Sequence, residues 1–342
     1  MDFINHQLFI KDINVHIDPI LPKKTAIITH GHADHARFGH DHVIATRQTI
    51  DIMKIRYGDK CAKKFTPLRY GQKYSIKNYD FTLHPAGHIL GSAQVLIEKN
   101  NHRLVITGDY KVGKDETCKN FKLVKCDTLI TEATFGLPIF QHPDPKDEIQ
   151  KLIRSVKINK NNCHIVGAYA LGKAQRVMNL LRQQKYNETI YIHGSLEKLC
   201  QYYSKEKINI GKFEKVSSKD KNFYEGKIII APPSALKDRW SRRFPNPIIC
   251  MASGWMTVKQ RAKQQGIELP LVISDHSDWN ELLDTIKKSK AKNILITHGQ
   301  EDALVYYCKK QNLVSKPLSI QGRSDEAVSY THLRAHETEA DL

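Results

Sequence analysis

The sequence contains no run of about eighteen consecutive apolar residues, so no part of it reads as a membrane-spanning helix. It has no C-x-x-C pair either. Its seven cysteines (Cys61, Cys118, Cys126, Cys163, Cys200, Cys250, Cys308) are odd in number and widely spaced, which argues against a zinc knuckle or a dithiol redox site. The amino end, MDFINHQLFIKD, lacks the basic-then-apolar order of a secretory leader, so a cytoplasmic protein is expected. No internal repeat recurs at a fixed period. The strongest deficit is in acidic charge: 36 Asp and Glu face 53 Lys and Arg, leaving +17 and a pI near 9.4. Such a surface favours a polyanionic partner, with nucleic acid first and no membrane among the partners. A hydrophobic share of 40% with 26% charged residues excludes a disordered or fibrous chain.

The 342 residues suffice for two domains, or for one large domain with an insertion. From Phe3 to Thr134 short apolar runs dominate, among them TAIIT, FTLH, AQVLIE, RLVIT and DTLIT, and such runs are strands more often than helices. A helix is expected within Arg47 to Lys60, on the apolar positions Ile50, Met53 and Ile55. After Pro138 strands (HIVGAYA, TIYIHG, KIIIAP, PIICMAS) alternate with helical stretches (KDEIQKLIRSVKI, KAQRVMNLLRQQ, SLEKLCQYYSKE, SALKDRW). That alternation predicts a parallel sheet with crossover helices. A last block, LVISDHSD to EDALVYYCKKQ, returns to the first style. The tail SYTHLRAHETEADL follows no apolar period and resembles a translated run-on, so it is set aside together with His332 and His336.

The 17 histidines carry the chemistry. TAIIT runs directly into His30-Gly31-His32-Ala33-Asp34-His35, a pattern that rarely arises by chance. A sharp turn after a strand can aim the first two imidazoles at one metal while Asp34 and His35 swing toward a second, and neutral imidazole with carboxylate suits Zn²⁺. Further candidates stand near other apolar runs: His84 and His88 in H-P-A-G-H, Asp109 in T-G-D, and His298 in T-H-G. Seven residues (His30, His32, Asp34, His35, His88, Asp109, His298) exceed one tetrahedral zinc but serve two metals if Asp109 bridges. His84, four residues before His88, need not face the same way.

H-x-H-x-D-H followed by A-G-H, T-G-D and a late His resembles the metallo-β-lactamase fold. Thr131-Glu132-Ala133-Thr134-Phe135-Gly136 and Ser274-Asp275-His276-Ser277-Asp278 are similar to the acidic and histidine motifs that flank the insertion in the β-CASP nucleases. The wording TEATFGLPIF, GAYALGKAQR and ASGWM is most similar to the bacterial ligase-associated DNA exonucleases, with mRNA 3′-end processing factors as further kin, and the resemblance covers about residues 3 to 325. It implies an α/β chain of the αββα sandwich type with an inserted β-CASP domain of parallel sheet and helices. The sandwich would occupy 1–137 and 271–328, the insert 138–270 and a non-native tail 329–342.

The resemblance further implies two Zn²⁺, with Mn²⁺ as the alternative: His30, His32, His88 and Asp109 on one, Asp34, His35, Asp109 and His298 on the other. Asp34, His276 and Glu132 would then be the catalytic residues, with His276 as general acid oriented by Glu132. The bland alternative for His276 is a histidine among the helix-capping residues Ser274, Asp275, Ser277 and Asp278. Asp18 is either a support for the ligand loop or a turn residue before Pro19. Lys173 and Arg176, behind Gly172 at a helix start, and Ser253 and Gly254, after an apolar strand, are the candidates for gripping substrate phosphate. Lys and Arg at helix starts are otherwise simply solvated. Trp255 either stacks on a base or packs between the domains. The run TVKQRAKQQG is less basic than in relatives, with only Lys259, Arg261 and Lys263.

The expected activity is that of a DNA exonuclease in DNA repair, acting on single-stranded DNA or a free end and leaving a 5′-phosphate and a 3′-hydroxyl. Association with a DNA ligase or helicase is implied by the family alone. The alternatives are a β-CASP ribonuclease, to which a late His such as His298 points, a non-catalytic nucleic-acid-binding subunit, and a non-nuclease metallo-hydrolase.

Overall fold

The structure is a computed structural model and describes residues 3–217 and 221–320; the expected tail, with His332 and His336, lies outside the described residues. The chain opens with β1 (Phe9–Ile10), β2 (Val15–Ile17), β3 (Thr25–Ile27), β4 (His40–Thr46), α1 (Arg47–Tyr57) and β5 (Ala62–Leu68). These five strands form one sheet in sequence order, with β1 and β2 antiparallel and the rest parallel. Thr46 starts α1 by accepting a hydrogen bond from the Thr49 N–H, and α1 buries Ile50 and Met53 as the apolar spacing predicts, together with Ile52, while the expected Ile55 is half-buried.

A second sheet follows from β6 (Lys73–Ile76), β7 (Tyr79–Pro85), β8 (Ala93–Lys99), β9 (His102–Ile106) and β10 (Thr128–Ala133). Its antiparallel part, β6 to β9, places apolar side chains inward: Phe81, Leu83, Val95, Ile97, Leu104 and Ile106 meet Ile10, Ile17, Ile27 and Ile44 of the first sheet in one core.

The chain then leaves through α2 (Pro145–Ile158), capped by Asp144. It builds β11 (His164–Gly167), α3 (Lys173–Gln183), β12 (Ile190–Ile192), α4 (Glu197–Lys205), β13 (Phe213–Lys215), β14 (Ile228–Ala231), β15 (Ile248–Ala252), α5 (Lys259–Gln264) and β16 (Leu269–Leu271). All six strands are parallel, ordered β13-β12-β14-β11-β15-β16, with an apolar cluster on each face. The expected helix over SALKDRW is absent: Pro233–Leu236 and Ser241–Arg243 are short 3-10 turns. Two prolines precede the stretch, and the Ser241 hydroxyl donates to the Leu236 and Asp238 carbonyls, so too few residues remain to repay helix nucleation.

The chain returns with α6 (Trp279–Ser289), β17 (Asn293–Gly299), α7 (Glu301–Lys310) and β18 (Val314–Pro317). β17 pairs in parallel with β10 and β18, completing a seven-stranded sheet ordered β18-β17-β10-β9-β8-β7-β6. Helices α6 and α7 cover its outer face and α1 that of the first sheet, which gives the αββα sandwich with its parallel insert. The expected junction at 270/271 falls inside β16, whose Leu271 pairs with Ala252 of the insert. Among the described residues no helix is long and apolar enough to cross a membrane.

Candidate metal centre

Four strand ends of the sandwich deliver side chains to one edge: β3 leads to His30, β7 to His88, β9 to Asp109 and β17 to His298. The buried His30 ring has Nδ1 3.0 Å from the Thr29 hydroxyl, which itself donates to Asp18 at 2.5 Å. The Thr29 oxygen therefore accepts from His30 Nδ1–H, and Nε2 is left as a lone pair. His32 Nε2 is 3.1 Å from the Leu171 carbonyl and His88 Nδ1 is 2.8 Å from the Asp275 carbonyl, so these nitrogens carry the protons. The opposite atoms, His32 Nδ1 and His88 Nε2, face each other at 3.0 Å, and His30 Nε2 lies 3.1 Å from His32 Nδ1. Three imidazole lone pairs thus converge with no proton between them, beside the Asp109 carboxylate at 3.6 Å from His30 and 3.8 Å from His88. The facing atoms of all four residues lie within 4.8 Å of one another. Lone pairs forced together repel unless a cation sits among them, so the donor set fits a metal ion, and its imidazole-rich chemistry fits zinc. Burial, then the crowding of neighbouring imidazoles, holds the His30 and His88 rings well below the usual histidine pKa.

A second, more open group adjoins it. His35 gives its Nδ1 proton to Asp18 at 2.8 Å and turns Nε2 toward Asp109 at 3.6 Å and Asp34 at 3.7 Å. Its ring is 5.3 Å from that of His298, which is exposed and in the left-handed region at φ 54°. Burial disfavours charge on His35, but Asp109 and Asp18 outweigh it and set the pKa at about 10. Asp34, largely exposed, and His298 stand at the solvent side of this group, outside the His and Asp sets whose atoms lie within 4.8 Å of one another. Asp18 settles as a support: it accepts from the Thr29 N–H, the Thr29 hydroxyl and His35. His84 stays in β7 paired with Gln94, outside both groups.

Next to this edge, His276 Nδ1 meets Glu132 at 2.9 and 3.1 Å, and its ring centroid is 4.6 Å from that of His88. Glu132 ends the buried strand β10 and also accepts from the Tyr110 N–H at 2.7 Å and the Thr134 hydroxyl at 2.5 Å, so its carboxylate is fixed. Burial pushes the His276 pKa down, the charge and hydrogen bond of Glu132 push it up, and the balance stands at about 9.

Lys173 and Arg176 are elsewhere than the sequence suggests. Both are buried, at 3% and 5% exposure. Lys173 Nζ bonds Asp275 at 2.5 Å and the Ile273 carbonyl at 3.2 Å; Arg176 pairs with Asp115 and donates to the carbonyls of Ser274, Gly87 and His88. Neither cation faces solvent to meet a phosphate, because docking of the insert encloses the first turn of α3. Ser253 accepts from the Trp255 N–H and gives its own N–H to Leu271. Gly254 is buried against Phe135 and His142, where a Cβ would sit 2.4 Å from the Phe135 ring. Trp255 packs on Phe135 and Phe140 at 5.0 and 5.1 Å and carries the Arg261 guanidinium at 4.7 Å. Sequence reasoning missed Thr29, the Leu171 and Asp275 carbonyls, Asp115 and His142. Only Thr29, beside the ligand run, had a local signal.

A two-sheet αββα sandwich bearing this His- and Asp-lined edge defines a protein of the metallo-β-lactamase type. Residues 271–312 match the family described as "Zn-dependent metallo-hydrolase RNA specificity domain". The chain is 26% identical to a probable DNA ligase of Opitutus terrae over 86% of its own length and 29% of that protein's. It is 28% identical to an RNase J-like protein of Methanocaldococcus jannaschii over 50% of this chain and 47% of that one, and 35% identical to endoribonuclease ysh-1 of Neurospora crassa over 38% and 16%. The chain spans less than half the length of each of these relatives. In fold it is similar to a protein of unknown function from Enterococcus faecalis, with a TM-score of 0.54 and 13% identity over 80% of this chain and 75% of that one. The fold, the site and these likenesses together support kinship with the β-CASP nucleases of the metallo-β-lactamase fold.

Proposed function

We propose that this chain is a dinuclear zinc phosphodiesterase that shortens single-stranded DNA from an end, in the cytoplasm and in the service of DNA repair. The observation that carries the hydrolase reading is the convergence of His30, His32 and His88 lone pairs beside Asp109, with the His276–Glu132 pair in contact. His30, His32, His88 and Asp109 would hold one zinc, and Asp34, His35, Asp109 and His298 the other. When bound, zinc makes water nucleophilic at neutral pH and offsets the charge of the phosphate.

The residues of the chain do the remaining work. Glu132 takes the Nδ1 proton of His276 in a hydrogen bond, so the protonated ring offers its Nε2 proton to the leaving 3′ oxygen. Aromatic and basic side chains continue from there into the insert. Phe135 is 6.2 Å from His276, Trp255 is 5.0 Å from Phe135, and beyond lies a groove of about 360 Å³ lined by Tyr169, Met251, Trp255, Lys237 and Arg261. Faces for stacking bases next to cations for phosphates suit a single strand, and the +17 charge supports a polyanion. The choice of DNA, and of association with a ligase, rests on the likeness to a probable DNA ligase along most of this chain.

RNA is the second reading, favoured by the RNA specificity match over 271–312, the segment that holds His276 and His298. Matched DNA and RNA strands of one sequence, labelled at either end and incubated with the zinc-loaded protein and its His276→Ala variant, test both. Stepwise shortening of DNA, lost in the variant, is expected. Faster cleavage of RNA would move the substrate to RNA, and no cleavage of either by a protein holding two metals would overturn the nuclease reading.

A further inference from the structure

The insert reaches the metal centre from behind. Leu171 and the first turn of α3 belong to the insert, yet they touch three of the sandwich-side loops that carry the site, those of His32, His88 and His276. The Leu171 carbonyl takes the His32 Nε2 proton and thereby fixes which nitrogen of that ring faces inward. Arg176 donates to the main chain at Gly87 and His88, and to Ser274, two residues before His276. Lys173 bonds the Ile273 carbonyl and the Asp275 carboxylate, and the Asp275 carbonyl receives the His88 Nδ1 proton.

The seam around these bonds is tight. Gly172 has φ +86°, and a Cβ there would lie 2.2 Å from Ile89 Cγ2, one residue beyond His88. Leu171, Ala174 and Val177 share one apolar core with Ile52, Ile89 and Leu90 of the sandwich. Leu171, Lys173, Arg176 and Asp275 are each no more than 5% exposed.

Replacing such buried ion pairs by apolar groups is often neutral or favourable for stability, so stability alone does not account for a cluster that ends on ligand loops. Outer partners of metal-facing histidines fix their tautomer and direction, and losing them typically weakens metal binding about 10- to 100-fold.

We propose that the first turn of α3 is an outer shell of the metal centre, with Arg176 as its positioning residue, so that seating of the insert and metal occupancy are thermodynamically linked. The insert is then part of the centre itself and more than a cover over it. This inference rests on the metal-centre reading given above.

Linkage is reciprocal: if the docked insert strengthens metal binding, metal must tighten the docked insert. The first test removes the buried pair as a unit, in Arg176→Met with Asp115→Asn, so that neither charge is left alone. Zinc affinity, by competition with a chromophoric chelator, is expected to fall about 10- to 100-fold. On a short strand kcat should fall with KM within about twofold of the parent, and Arg176→Lys, which keeps the charge facing Asp115, should recover part of both losses. A folded double variant with parental zinc affinity and kcat overturns the proposal.

The second test needs no variant and stands if the first protein fails to fold. Hydrogen exchange of the wild-type chain with and without zinc should show protection across residues 168–176 and 271–276 as well as around His30 and His88. Protection confined to the sandwich loops would overturn the linkage. A wild-type chain that takes up no zinc fails the metal-centre reading instead, so the two failures are distinguishable.

Discussion

Glu132 meets His276 Nδ1 at 2.9 Å from a position that is 1% exposed, and it does so while already accepting from the Tyr110 N–H and the Thr134 hydroxyl. A carboxylate held by two other donors turns the imidazole without moving itself. The role proposed for His276, proton donation, can be separated from binding. His276→Asn should lower kcat on DNA about 100-fold or more and leave zinc content unchanged. On a p-nitrophenyl phosphodiester, whose leaving group departs without a proton, the loss should be about tenfold or less. Equal losses on both substrates would place His276 in some other role.

Removal of metal should be visible in stability. Apo protein must keep the His32 and His88 lone pairs at 3.0 Å with nothing between them. Chelation is therefore expected to lower the Tm, and zinc at 100 times its Kd to restore about 2.7 kcal/mol. His32→Ala should abolish most of that gain, as followed by thermal melts across a zinc titration. A Tm that ignores zinc would contradict the convergence argument.

The part of the site that was legible in the sequence is the part written in short spacings. H-x-H-x-D-H sits on one turn, so its rings had to be near one another, and strand ends brought His88 and Asp109 to the same edge, with the His298 ring 5.3 Å from that of His35. The strands and helices were legible from their apolar periods, except where Pro232 and Pro233 left SALKDRW as turns. The outer partners were not legible, for a physical reason. Leu171 and Asp275 act through main-chain carbonyls, which no side-chain pattern marks. Lys173 and Arg176 look like solvated cations at a helix start, and only docking of the insert buries them.

His142 provides a pH signature. Burial first, then the charge of Lys111, pushes its pKa down to about 3. The unfolded chain then binds more protons than the folded one between about pH 3 and 6.5, so stability is full above that window and is lost as pH falls through it. Between pH 7 and 5 this one ring should account for about 2 kcal/mol of lost stability. Urea midpoints of wild type and His142→Leu at the two pH values check it: the variant should lose less. Equal losses would show that His142 takes up its proton without penalty.

Contact between the groove and a nucleic-acid strand should register in salt dependence. Lys237→Ala and Arg261→Ala should each weaken binding of a single strand and reduce the slope of log K against log salt by about 0.7. Fluorescence anisotropy at several salt concentrations measures this. An unchanged slope would remove the groove from the substrate path.

Gly254 sets the fit between insert and sandwich. An added Cβ meets the Phe135 ring and, at 2.9 Å, His142 Nε2, and Phe135 is itself packed against Phe140, His142 and Trp255. Gly254→Ala is expected to lower stability by about 1–3 kcal/mol, measured by urea unfolding. A neutral result would mean that the seam opens readily there.

Crystals grown with zinc and measured on both sides of the zinc absorption edge test the dinuclear centre. Two anomalous peaks are expected, one among His30 Nε2, His32 Nδ1, His88 Nε2 and Asp109, the other beside His35, Asp34 and His298. A single peak at the first position would reduce the centre to one metal, and no peak among these residues in crystals grown with zinc would overturn the metal centre.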